Sequence, residues 1–181
     1  MGYMLSSLGN LPVDDQVRFY LFIINGQWEE PLYRIMEQNF ASVARSIGKH
    51  AVIAKGLKPE EWYGEVAAAY FGEDYSDYFN LLPALLLTNA HPAHVSEHSM
   101  RLLVPLRDVD SRFGGWPVFF QSLTDFVQLR NDEFLTRFQR KEDAVTTLNR
   151  IVELRPGAFG IGININEVVT WWRQRKHHSE A

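Results

Sequence analysis

Not one of the 181 residues is cysteine. That absence removes disulfide cross-links, cysteine-ligated zinc, iron–sulfur clusters and thiol nucleophiles together. It fits a reducing compartment, so a cytoplasmic location is expected. A basic excess is lacking too. Lys and Arg number 18 against 22 Asp and Glu, a formal net charge of -4, which argues against a general nucleic-acid binder. No apolar run approaches the roughly 20 residues of a bilayer span, so membrane insertion is not expected. The first dozen residues carry neither a basic region nor a long apolar stretch, and no secretory signal is expected there. Among motifs, the G-x-S-x-G elbow, the P-loop and G-x-G-x-x-G are all missing. Gly160-Ile161-Gly162 supplies only the first half of the last. With no nucleophile or cofactor signature, no cofactor is expected, and a binding role is favoured over an enzyme.

What is present is apolar bulk. Hydrophobic residues make up 46% of the chain and aromatics 13%, with 12 Phe and 5 Trp, enough for a large core. The length favours one domain with an appended element. Residues 1–16 read as an N-terminal extension without structure of its own. Its opening, Met1-Gly2-Tyr3-Met4-Leu5-Ser6, also fits the short myristoylation pattern.

From residue 17 the punctuation is clear. Val17 to Ile24 is a β-branched and aromatic run closed by Asn25-Gly26, the pattern of a strand buried on both faces. Pro31 opens a helix with Leu32, Ile35, Met36, Phe40, Val43, Ala44 and Ile47 on one stripe, ended by Gly48. Ala51 to Lys55 is a second strand, broken by Gly56. Pro59 starts a second helix, with Glu60 and Glu61 in the first turn, where the helix dipole favours acids. After an acidic, aromatic stretch over 73–80, read as loop, Pro83 precedes a third strand, Ala84 to Thr88. Met100 to Leu106 is the fourth, and Pro105 marks an edge or the strand's end. Pro117 opens a third major helix, a shorter one follows around Asp132 to Arg140, and Ala144 to Val152 marks another. Finally Phe159, Ile161, Ile163 and Ile165 alternate with Gly and Asn, a strand-like segment over 158–165. A helix carrying Trp171 and Trp172 follows and turns basic at Arg173, Arg175 and Lys176.

The fold class is therefore α/β, and the element order over residues 17–130 is βαβαββα. Two local sequences sharpen this. The junction of first strand and first helix reads Trp28-Glu29-Glu30-Pro31-Leu32, and the third strand is entered through Leu82-Pro83-Ala84-Leu85-Leu86-Leu87-Thr88. The first resembles the W-C-G-P-C motif of thioredoxins, with Trp and Pro kept and both cysteine positions replaced by Glu29 and Leu32. The second resembles the segment in which that family has a cis-proline. The resemblance implies a redox-inactive, thioredoxin-like mixed sheet flanked by helices over 17–130. Residues 131–181 form a helical C-terminal extension outside it. Thiol–disulfide exchange is excluded, because Glu29 is an anion at the helix start but cannot exchange disulfides.

The resemblance also implies a partner groove. In that fold, backbone just before the cis-proline pairs with an extended peptide beside the former active site. Carried over, the groove is Leu82 flanked by Trp28, Glu29, Glu30 and Pro83. The leading expectation is thus a non-catalytic interaction or adaptor module for a protein or peptide. Two alternatives stay open. A small hydrolase or metal-dependent enzyme would use Glu29 as a tuned carboxylate, or His91, His94 and His98 as zinc ligands with Glu97 as a fourth. A self-assembling subunit, a homo-oligomer, would contact its copies through Ile161, Ile163, Trp171 and Trp172, since paired tryptophans are typical anchors.

Overall fold

Five strands form one mixed sheet in the computed structural model, which describes residues 1–26, 31–72 and 76–138. They are β1 (Gly2–Leu5), β2 (Phe19–Ile24), β3 (Ala51–Gly56), β4 (Ala84–Thr88) and β5 (Arg101–Pro105). Their lateral order is β1-β3-β2-β4-β5. β3 runs parallel to both β1 and β2, whereas β4 is antiparallel to β2 and to β5. β2, β3, β4 and β5 are buried at every position. That explains why their sequences, Lys55 and Arg101 apart, are mostly apolar rather than alternating.

The helices are α1 (Pro31–Ser46), α2 (Pro59–Phe71), α3 (Val109–Phe113), α4 (Trp116–Leu129) and α5 (Glu133–Thr136). Proline sits at or near the first position of α1, α2 and α4, where a missing N–H leaves nothing unpaired. Two separate cores result, one on each face of the sheet. On one face Phe19, Leu21 and Ile23 of β2 meet Met36 and Val43 of α1 and Phe119, Leu123 and Phe126 of α4. On the other, Tyr20, Phe22 and Ile24 meet Trp62, Val66 and Tyr70 of α2, together with Leu5, Leu8 and Leu11. Trp62 also donates its indole N–H to the carbonyl of Ile23, at 3.0 Å.

The start of the chain departs from the expectation of an unstructured extension. Among the described residues, Gly2 to Leu5 form an edge strand in register with β3, and Leu8–Asn10 is a 3-10 turn whose Leu8 is buried. The Met1 amino group donates to the carbonyls of Ala44 (3.3 Å), Gly48 (2.9 Å) and Ala51 (2.7 Å). Glu65 of α2 accepts from the Ser7 hydroxyl at 2.9 Å and from the Leu8 N–H. Gly2 is explained by packing: a Cβ there would lie 2.7 Å from that of Ala44. The signal was missed because a four-residue strand containing glycine has too few positions to show a period.

The loop expected over 73–80 includes a 3-10 turn, Ser76–Leu81. α3 was also absent from the sequence reading, being five residues long and bounded by Gly114 in the left-handed region, φ 74°. It is clasped to α5 by a reciprocal pair of arginines. Arg112 donates to the Arg137 carbonyl at 3.0 Å and Arg137 to that of Arg112 at 3.2 Å. Each guanidinium lies over a ring of the opposite segment, Phe138 and Phe113, both at 5.2 Å. The expected helix over 144–152, the strand-like segment 158–165 and the tryptophan helix lie outside the described residues.

Candidate functional site

The end of β2 and the beginning of β4 lie side by side, with Ile24 opposite Ala84. Antiparallel pairing therefore brings Asn25 and Gly26, leaving β2, towards Leu82 and Pro83, entering β4. The Leu82–Pro83 peptide bond is cis and Pro83 is buried. Phe79, in the 3-10 turn before it, is 51% exposed, so its ring forms an apolar rim. One edge of that ring meets Tyr63 of α2, at 5.7 Å between centroids. Gly26 passes so near that a Cβ there would lie 3.0 Å from the Phe79 ring and 3.4 Å from the Leu82 side chain. Glycine is what lets the two chain segments approach this closely.

The backbone of Leu82 is already engaged. Its N–H donates to the Phe79 carbonyl at 3.2 Å, and its carbonyl accepts from Nη2 of Arg107 at 2.9 Å. The same Nη2 also donates to the carbonyl of Asn80. Register explains the reach: Ala84 pairs with Pro105, and the next rung joins the Leu106 N–H to the Pro83 carbonyl at 2.8 Å. One step further on, Arg107 stands beside Leu82. Nothing in the sequence reading pointed to Arg107; counting the antiparallel register back from Pro105 is the signal that finds it. Of the expected groove, the structure thus places Leu82 and Pro83, while Trp28, Glu29 and Glu30 lie outside the described residues. So do Ile161, Ile163, Trp171 and Trp172.

The histidines do not converge. His91 is buried, with Nδ1 accepting from the Ala93 N–H at 3.1 Å and Nε2 3.2 Å from the Leu11 carbonyl. Since the backbone can only donate to Nδ1, the proton resides on Nε2, which donates to Leu11. Nε2 thus ties the β4–β5 connection to the segment after the first turn, while Nδ1 caps the connection's own 3-10 turn. His94 is exposed, its ring 5.8 Å from that of His91. His98 is 85% exposed and lies 3.4 Å from Glu97, itself 72% exposed. Among the described residues, no group of three or more His, Cys, Asp or Glu is placed to hold a metal ion. The sequence spacing suggested a cluster; the turn at Pro92–His94 keeps His94 near His91, but both His91 nitrogens are taken by backbone groups.

Two buried cations escaped the sequence reading. Lys55 of β3 is paired with Glu37 of α1 at 2.6 Å and stands over the Phe40 ring at 5.4 Å. Arg101 of β5 donates to the carbonyls of Tyr70 (2.7 Å) and Ser96 (2.6 Å). The Tyr70 carbonyl belongs to the last turn of α2, whose negative dipole end suits a guanidinium. Both cations are accounted for by these structural contacts.

No protein-family model, no curated protein and no solved structure matches this chain.

Burial also acts on the tyrosines. It pushes the Tyr33 phenol up to about 12, with Glu37 adding to the shift. Tyr70 is raised as well, first by burial and then by Tyr20, while Arg101 opposes. The folded state therefore prefers the neutral phenols. Their contribution is complete below about pH 10, the unfolded value, and is lost as pH rises through the folded values. Stability should fall between pH 10 and 12, and Tyr33→Phe should flatten that fall. Ultraviolet titration of the 7 tyrosines checks this. Full ionisation near pH 10 in the folded protein would contradict it.

Proposed function

We propose that the chain is a non-catalytic protein-interaction module on a redox-inactive, thioredoxin-like scaffold, holding an extended peptide at the Leu82–Pro83 end of its sheet. The observation that carries this reading is the sheet itself. Its order is β1-β3-β2-β4-β5, with β4 alone antiparallel to the other four, and Pro83 stands directly before β4 beside the end of β2. A mixed sheet of this kind, flanked by helices, supports the scaffold that the sequence resemblance implies. With no cysteine in the chain, the chemistry of that family has no atoms to run on, whereas its peptide-facing surface needs none.

The recognition mode would be strand addition: backbone bonds give affinity and neighbouring side chains give selectivity. Phe79 is suited to the second role, being apolar and half exposed next to Leu82. Trp28, which the resemblance implies on the floor of the groove with Pro83, is the second candidate. No helix among the described residues is long and apolar enough to cross a membrane, and a cytoplasmic partner fits a cysteine-free surface.

The test is a panel of synthetic extended peptides of varied sequence, with binding to the full chain measured by fluorescence anisotropy. Some members should bind, and Phe79→Ala and Trp28→Ala should each weaken them by roughly tenfold without loss of folding. If no peptide binds, or if both variants bind as the wild type does, the reading fails.

A further inference from the structure

We infer that Arg107 is a latch that holds the proposed peptide site closed. The inference rests on the reading of Leu82 as the pairing residue. Strand addition needs the N–H and the carbonyl of that residue to face a visiting backbone. In this structure neither group is available, because the chain bonds to itself at both. The Leu82 carbonyl takes Nη2 of Arg107 at 2.9 Å, and its N–H is turned back to the Phe79 carbonyl at 3.2 Å.

The two bonds are not independent. Nη2 of Arg107 bridges the carbonyls of Leu82 and Asn80, and Asn80 belongs to the Ser76–Leu81 turn that presents the Phe79 carbonyl to Leu82. A single guanidinium therefore fastens the turn and caps the acceptor together. Removing it frees the carbonyl directly and releases the turn that holds the N–H. The other end of the latch is firm. Arg107 follows Leu106, which is buried and bonded to the Pro83 carbonyl at 2.8 Å, so the arginine starts from a fixed point at the end of β5.

Arg107 itself is exposed, and its bonds to Asn80 and Leu82 lie at the surface. Such bonds compete with water, so the latch is expected to open readily. A charged group carrying exposed bonds is suited to a closed but reversible state. A peptide that binds only the open form has its apparent affinity reduced by the fraction of time the latch is open. The occupant is an extended peptide whose own N–H replaces Nη2 at the Leu82 carbonyl.

Arg107→Ala in the full chain tests this with two readouts. Hydrogen exchange should show lost protection at the Leu82 amide, with the amides of Leu85 and Leu87 in β4 unchanged. Peptides from the panel above should bind about tenfold more tightly, because the open fraction rises. Unchanged protection at Leu82, or equal affinity of wild type and variant for a peptide that both bind, overturns the latch and leaves the interaction site standing. Lost protection at Leu82 with no peptide bound by either form overturns the interaction site, and the gating role with it.

Discussion

Gly56→Ala should unfold the protein more readily by about 3 kcal/mol, well beyond what a single methyl group ordinarily does. Gly56 ends β3 directly beneath Trp62, and a Cβ built on it would stand 2.3 Å from the Cβ of Trp62 and 2.5 Å from its Cγ. Those atoms are the root of the side chain, so no rotamer change clears them. α2 would have to move bodily off the sheet. Trp62 is 3% exposed and bonded to Ile23, so a shift of α2 would disturb both the packing and that bond. For a chain of this length, 3 kcal/mol corresponds to a fall in Tm of about 10 °C. Because the nearest atom is a Cβ, trimming the indole by Trp62→Ala should not rescue the variant. The control lies on the same helix. A Cβ at Gly64 meets nothing within 4 Å, so Gly64→Ala should raise Tm through helix propensity alone. Thermal unfolding followed by circular dichroism separates the two, and a Gly56→Ala protein as stable as the wild type would mean that β3 and α2 are not packed as described.

Phe134→Ala is the second large effect. α5 is only four residues long, too short to hold itself, and Phe134 is its anchor. The ring is 1% exposed and lies against four others: Phe113 at 5.4 Å, Phe138 at 5.5 Å, Phe126 at 5.6 Å and Phe119 at 6.1 Å. Removing it leaves a cavity bordered by aromatic rings fixed on three different helices or turns, which cannot close in concert. The expected loss is about 3–5 kcal/mol. A smaller loss is expected for Phe138→Ala, whose ring is 5% exposed and nearer the surface. Urea unfolding of both variants ranks them, and a Phe134→Ala loss below about 1 kcal/mol would show that α5 is not part of the core.

The legible parts of this fold were those with an unbroken apolar run or a long helical stripe. β2 and β4 are apolar runs closed by Asn25-Gly26 or opened by Pro83, and α1 carries a stripe long enough to read. Pro105 rightly marked a strand end, and among the described residues β5 lies at the sheet's edge. β1 and α3 were invisible because neither GYML nor VDSRF is an apolar run or carries a full helical stripe. They exist through contacts made elsewhere: β1 through β3, α3 through the arginine clasp to α5. For the candidate site, Leu82 and Pro83 were readable from their position before a strand. Arg107 was not. Its relation to Leu82 exists only once β4 and β5 are paired in register, which no local stretch of sequence encodes. For the histidines, nearness along the chain suggested a cluster, but the backbone takes both nitrogens of His91.

The edge strand has a bearing on how the chain behaves while it is being made. Gly2 to Leu5 find their partner only in Ile53 to Gly56, after all of α1 has emerged in between. Such distant pairings form late, since a long loop must first be closed. Residues made well before their partner are thus among the last to settle, and until then Leu5, Leu8 and Leu11 face water. A stalled or truncated polypeptide ending before residue 56 would carry that greasy stretch uncovered, a natural handle for a chaperone and a hazard of clumping without one.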